Sequence, residues 1–270
     1  MPKEVAVDRL EAGEAELLRA DRAGVAWLTL NRPQARNALS LGLMQALTEE
    51  LDRIAADAAT KVVVIAGAGP AFCAGHDLRE LRANPGRAFI EQTFAACSRL
   101  MLAITRLPKP VIARVHGVAT AAGCQLVATC DLAAAAETAR LATPGVNIGL
   151  FCSTPMVALS RAVGRKVAME MLLTGDLIGV QRAREIGLVN RVVPEAELDA
   201  AVTGLAAQIA GKSPLTLAIG KEAFYRQAEM PLDAAYAYAS EVMVRNMLAR
   251  DAEEGIDAFL AKRDPVWTGT

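Results

Sequence analysis

Short apolar runs alternate along the chain with apolar positions at helical spacing. Glu16 to Ala20 and Gly24 to Leu30 alternate or run apolar around a break at Asp21-Arg22-Ala23, which predicts a β-hairpin. A turn follows at Asn31-Arg32-Pro33-Gln34. From Ser40, a residue suited to capping, Leu43, Leu47, Leu51 and Ile54 recur at spacings of three and four, as one buried helix face requires. Lys61 to Ala66 predicts a buried strand stopped by the turn-forming cluster Gly67-Ala68-Gly69-Pro70. Next come a helix over Ala88 to Thr105, a break at Pro108-Lys109-Pro110, a strand over Val111 to Val115 and a Gly/Ala-rich bend from Gly117 to Gly123. A helix near Gln125 to Thr129, a strand over Leu132 to Ala136 and helices after Ser153 continue the alternation, so this part reads as α/β with buried strands. From about Glu195 the pattern turns helical. Ser213-Pro214 offers an N-cap with Pro at the first helical position, and Asp251 with Glu254 has capping-box spacing ahead of Ile256, Phe259 and Leu260.

At 270 residues the chain can bury one large core. Apolar residues make up 53% and aromatics only 4%, so that core must be built from Ala, Val, Leu and Ile. A formal charge of -1 offers no broad attraction to nucleic acid or an anionic membrane, and no apolar run is long enough to span a bilayer. The five cysteines, Cys73, Cys97, Cys124, Cys130 and Cys152, lie in apolar stretches without CxxC or Cys/His spacing. No metal site is expected, and the thiols read as reduced, in a cytosol-like, cytoplasmic setting. Met1 to Ala20 carries several acidic residues and no apolar core, unlike a secretory signal or an Arg-rich transit peptide.

Two loops depart from the polar composition usual between buried elements: Gly67 to Leu78 (GAGPAFCAGHDL) and Gly117 to Leu126 (GVATAAGCQL). Small side chains let a ligand approach the backbone, and the unpaired N–H groups at a helix start aim positive partial charge outward. Close helix-strand packing accounts for the same composition, and the two readings stand side by side at this point.

The motifs LTLNRPQARNAL (Leu28 to Leu39), VVVIAGAGPAFCAGHDLREL, KPVIARVHGVATAAGCQLVATCDL, AMEMLLTGDLIGVQRAREIGLVNRVV and FLAKRDP fall in the order and at the spacing of one family. Along nearly its whole length the chain resembles the crotonase, or enoyl-CoA hydratase/isomerase, superfamily. The resemblance implies a crotonase-like α/β spiral of ββα units over residues 1–194 and a C-terminal helical region over 195–270 that caps CoA and assembles a homotrimer or hexamer. It also implies an acyl-CoA ligand, with CoA entering as part of the thioester and no separate cofactor. The backbone N–H groups of His76 and Ala122 match the pair that polarises the thioester oxygen. Gln34, Ala35, Arg36, Ala74, Asp77 and Leu78 match positions along the pantetheine and adenine, while Phe259 and Lys262 match a C-terminal pair near the adenine-phosphate end.

The chain departs from the family's hydratases at two places: Gln125 and Gly145 stand where those enzymes carry glutamates. Hydration needs a base for the water proton and an acid for the α-carbon, each worth roughly 10²- to 10⁴-fold in rate. An amide orients water without accepting its proton, and glycine does neither. Ordinary hydratase activity is therefore expected to fall steeply. The departures resemble a hydratase-domain-containing subgroup that shares the CoA fold and lacks the glutamate pair. An acyl-CoA enzyme stabilising a thioester enolate, a non-catalytic acyl-CoA binder and a hydratase using other residues remain the alternatives. Among other groups, the His76 imidazole reads as a solvated loop side chain or a proton carrier, Asp77 as a helix cap or a base, Cys124 and Cys152 as inert buried thiols or nucleophiles, and His116 as structural.

Overall fold

The computed structural model describes residues 15–270; the part of the acidic leader before residue 15 lies outside them. Strands β1 (Leu17–Arg22) and β2 (Val25–Leu30) form the antiparallel hairpin. Its turn is Ala23-Gly24, with φ of 48° and 78°, and not Asp21 to Ala23. A two-residue hairpin matched to strand twist needs positive φ at both turn residues, so Asp21 and Arg22 stay in the ladder. Helix α1 (Leu41–Ala56) starts where expected, with the Leu43 N–H donating to Ser40 Oγ. Strand β3 (Val62–Gly67), helices α2 (Leu78–Ala83) and α3 (Arg87–Arg106), and strand β4 (Val111–Val115) follow.

From here each pass of the chain lays one strand in each of two sheets. After β4 come β5 (Val118–Thr120) and α4 (Ala122–Thr129); then β6 (Leu132–Ala136), β7 (Arg140–Ala142), α5 (Ser153–Ala162) and α6 (Arg165–Thr174); then β8 (Ile178–Gly179), α7 (Val180–Glu185) and β9 (Arg191–Val193). The larger sheet has the order β1-β2-β3-β4-β6-β9, parallel beyond the hairpin, and the smaller has the order β5-β7-β8. This stepwise addition to two ladders is the spiral of ββα units. The bend from Gly117 to Gly123 thus contains a short strand, and α4 begins at Ala122, three residues earlier than its apolar pattern indicates.

The larger sheet is apolar on both faces because both are covered. Val63, Ile65, Val111, Ala113, Val115, Ala133 and Ala135 face the main core with α1 and α3. Their neighbours Val62, Val64, Ile112, Ala134 and Ala136 face a second cluster with Leu198, Val202 and Leu205 of α8 (Leu198–Ala210). That cluster runs across the 194/195 boundary. Beyond α8 come α9 (Pro214–Gln227), α10 (Leu232–Met247) and α11 (Arg250–Ala261). Ser213 caps α9 through the Thr216 N–H. Asp251 does not cap α11, whose N-cap is Ala249; the buried carboxylate accepts instead from Ser213 Oγ (2.6 Å) and the N–H groups of Thr268 and Gly269. Glu254 accepts from Arg263 and the Val266 N–H, so the capping-box spacing serves to tie down the C-terminal segment. Among the described residues no helix is long and apolar enough to cross a membrane.

Candidate active site

The two small-residue loops lie against each other. Cys73 donates its N–H to Val118 O and accepts from the Thr120 N–H, and Thr120 Oγ1 donates to Ala74 O. A Cβ built on Gly75 falls 2.9 Å from Ala121 Cβ and 3.4 Å from Ala122 N, and one on Gly123 falls 2.1 Å from Cys73 O. Only glycine fits there.

Each loop turns sharply just before the residue whose N–H it presents. Gly75 has φ +102° ahead of His76, and Ala121 has φ +51° and ψ -118° ahead of Ala122. A non-glycine residue in such a conformation stores about 1–3 kcal/mol, and the bonded surroundings hold it: Ala121 N–H donates to Ala142 O. On the other side Leu39 N–H donates to Gly75 O and Asp77 N–H to Leu39 O, which leaves the His76 N–H turned away from that ladder. Ala122 is the first residue of α4, where the helix supplies no acceptor. Among the described residues neither N–H has a hydrogen-bond partner. Two partnerless N–H groups on adjoining loops are suited to a single developing negative oxygen.

The remaining positions fall into two groups. Gln34 and Ala35 lie in the 3-10 turn Pro33–Ala35, whose C-cap Arg36 is in the left-handed region. Arg36 O accepts from the Ala74 N–H, which joins this turn to Ala74, Asp77 and Leu78. Asp77 caps α2 and pairs with Arg32 at 2.8 Å, an anchor not visible in the sequence pattern. Arg32 beside it and N–H donors of α2 offset burial and hold its carboxyl below the ordinary range. Leu78 is exposed. Phe259, by contrast, sits on α11, which packs on α9 and α10, and is 82% exposed; Lys262 is the left-handed C-cap of that helix.

His76 is not a solvated loop residue. Its half-buried imidazole stands edge-on to Phe94 at 5.1 Å between centroids, its Nε2 is buried without a partner, and burial pushes its pKa down to about 4. A histidine that resists protonation when folded makes the fold acid-sensitive. Below the unfolded value near 6.5 the unfolded chain binds the proton first, so stability is full above that pH and falls as pH drops toward 4. At about 1.4 kcal/mol per pKa unit the loss approaches 3 kcal/mol. Urea titrations of wild type and His76→Gln between pH 7 and 4 are expected to diverge in this window, with the variant losing less.

Gln125 is buried on α4, and Cys97 Sγ of α3 donates to its Oε1 at 3.7 Å. Gly145 lies in a 3-10 turn after Pro144 and is packed full: a Cβ there falls 2.6 Å from Leu150 O and 2.8 Å from Cys152 Sγ. The Cys97 thiol has its pKa pushed up to about 12 by burial, as does that of Cys124; Cys152 is raised as well. All five thiols are free and buried. His116 ties Arg114 to Gly69 O through its two ring nitrogens. Among the described residues no cluster of His, Cys, Asp or Glu is placed to hold a metal.

Residues 20–270 match the family model described as Enoyl-CoA hydratase/isomerase. The chain belongs to the enoyl-CoA hydratase/isomerase family. It is 48% identical over 245 residues, 91% of this chain and 82% of the relative, to Enoyl-CoA hydratase domain-containing protein 3, mitochondrial, of Rattus norvegicus. With 2,3-dehydroadipyl-CoA hydratase of Escherichia coli (strain K12) it shares 37% over 257 residues, covering 94% and 99% of the two chains. A crystal structure of enoyl-CoA hydratase from Mycobacterium smegmatis superposes with a TM-score of 0.92 at 54% identity, over 94% of this chain and 99% of the other. The crotonase fold is thereby shared, and family and relatives point to lyase activity of the enoyl-CoA hydratase type. The cytoplasmic expectation is corrected: the domain-containing relatives from rat, mouse, frog and human are named as mitochondrial. Reduced thiols report the redox state of a compartment and do not identify the organelle.

Proposed function

We propose that this protein binds an acyl-CoA thioester, gripping its carbonyl oxygen between the N–H groups of His76 and Ala122 and stabilising the enolate formed beside it. One observation carries the reading: two partnerless main-chain donors, each launched by a positive-φ residue, on loops in van der Waals contact. CoA would run along Gln34, Ala35, Arg36, Ala74, Asp77 and Leu78. The exposed apolar side chains of the last helices, among them Phe224, Tyr236, Leu248 and Phe259, support assembly as a trimer or hexamer. In such an assembly Phe259 and Lys262 would reach a neighbour's CoA.

The site is poorly equipped for hydration. Gln125 has no proton to exchange near neutral pH, and backbone and thiol already fill the space in which a longer residue 145 would begin. The packing at Gly145 also favours a second reading, an acyl-CoA binder without turnover.

Calorimetry tests the grip itself. Octanoyl-CoA is expected to bind tighter than its S-octyl thioether, which lacks the carbonyl, by about ten- to thirty-fold, at roughly 1 kcal/mol for each of two hydrogen bonds. Equal affinities would remove the two N–H groups from the account. Deuterium exchange at the α-carbon in the same samples separates enzyme from binder, since exchange needs both a stabilised enolate and a base that takes the α-proton.

A further inference from the structure

Two buried side chains hold the turn that opens the first loop. Asn37 spends both hydrogens of its Nδ2 on Ala68 O at 2.8 Å and Ala71 O at 2.7 Å, and its Oδ1 accepts from the Arg32 N–H. The carbonyl between them, Gly69 O, is met instead by His116 Nε2 at 2.8 Å, from the residue that follows β4.

The roles of the two ring nitrogens follow from their partners. A carbonyl only accepts and a guanidinium only donates, so Nε2 carries the proton, and Nδ1, 2.9 Å from the Arg114 guanidinium, is the acceptor. Arg114 is in turn fixed by Asp199 of α8 at 2.6 Å. Burial above all, and the Arg114 charge behind it, lower the pKa of His116 against the pull of Gly69 O, Glu195 and Asp199. The turn from Gly67 to Phe72 brings no ionisable group, and the ring is neutral near pH 7.

Position gives this bond leverage on the site. His116 stands at the entrance of the loop that leads to Ala122, and Gly69 at the entrance of the loop that leads to His76. From there the loops run side by side: the Phe72 N–H donates to His116 O at 3.0 Å, the Cys73 N–H to Val118 O at 3.2 Å and the Thr120 N–H to Cys73 O at 3.0 Å. The His116 side chain adds the first rung of that ladder. Gly117 lets the entrances touch, since a Cβ there would fall 2.3 Å from Pro70 O. Gly69, at φ +72°, has the wide conformational freedom of glycine, so without the side-chain bond other turn geometries are open to it.

We infer that His116, with its proton kept on Nε2 by Arg114, is a positioning residue: its bond to Gly69 O sets how the two loops lie against each other and so the spacing of the His76 and Ala122 N–H groups. The inference rests on the thioester reading above and deepens it. His116 acts through the first loop and not on the thioester itself.

The readout is the ratio of affinities for octanoyl-CoA and its S-octyl thioether, measured by calorimetry on the full chain. Loss of packing weakens both ligands alike, whereas a misplaced pair of N–H groups changes the ratio. His116→Gln sets an N–H near the place of Nε2 and is expected to keep the ratio within about threefold of wild type. His116→Asn, whose amide reaches only to the place of Nδ1, and His116→Leu, which has no donor, are expected to bring it from about ten to thirty down to within about threefold of one. Circular dichroism and urea midpoints identify folded protein, and either of these two variants carries the result if the other does not fold. A Gln variant that loses the ratio as fully as they do overturns the inference. A wild-type ratio of one sinks the thioester reading and this inference with it, whereas a wild-type ratio that persists in the Asn or Leu variant, even one of lowered stability, sinks this inference alone.

Discussion

Gly123→Ala is expected to destroy thioester binding and to destabilise the fold by more than about 3 kcal/mol, at or above the upper end of ordinary overpacking. The added methyl would sit 2.1 Å from Cys73 O, 2.8 Å from Cys73 C and 2.9 Å from Cys73 Cβ. Two of these three are backbone atoms, so no rotamer change relieves the clash. The loop at Cys73 would have to move away from the start of α4, and that movement shifts the His76 and Ala122 N–H groups relative to each other as well. Gly204→Ala is the matched control. Gly204 lies within α8 with nothing within 4 Å of its Cβ direction, so the change is expected to stabilise by about 0.5–1 kcal/mol through helix propensity. Urea midpoints and calorimetry with octanoyl-CoA check both. A Gly123→Ala protein with wild-type stability and binding would mean that contact between the loops does not set the geometry of the site.

What could be read from the sequence was mostly local. Ser40 and Ser213 announce helix starts because a capping hydroxyl and its N–H lie three residues apart. The strand Val111 to Val115 was legible as an apolar run, and its two-sided burial follows from alternating neighbours in two clusters. The pairings that shape the site join distant positions: Arg32 with Asp77, Cys97 with Gln125, His76 with Phe94. No periodicity relates such residues, so the His76 imidazole passed for a solvated side chain and the orientation of the Gln125 amide had no sequence signal. Asp251 and Glu254 misled for a related reason. Their spacing suits a capping box, but the chain returns from Val266 to Gly269 with better-placed donors. At Gly145 the sequence shows only a glycine, whereas the structure adds that Leu150 and Cys152 pack against the position.

Lys221→Met is expected to cost about 3–5 kcal/mol, the range for breaking a buried ion pair from one side. Lys221 Nζ spends all three hydrogens: on Ile104 O at 2.8 Å, Lys109 O at 3.0 Å and Asp131 Oδ2 at 2.6 Å. Its side chain is 6% exposed and that of Asp131 17%. The same carboxylate accepts from the Val111 N–H and from Tyr225 Oη, so one charged pair joins the end of α3, the start of β4, the end of α4 and helix α9. Removing the ammonium leaves the Asp131 carboxylate with two of its three hydrogen bonds and no counter-charge, and takes a donor from two carbonyls. Replacing both partners, Lys221→Met with Asp131→Leu, removes the stranded charge and is expected to recover part of the stability, short of wild type because Val111 N–H and Tyr225 Oη lose their acceptor. Urea unfolding of the two single variants and the double variant measures the coupling directly. Strictly additive losses would show that the pair does not act as a unit.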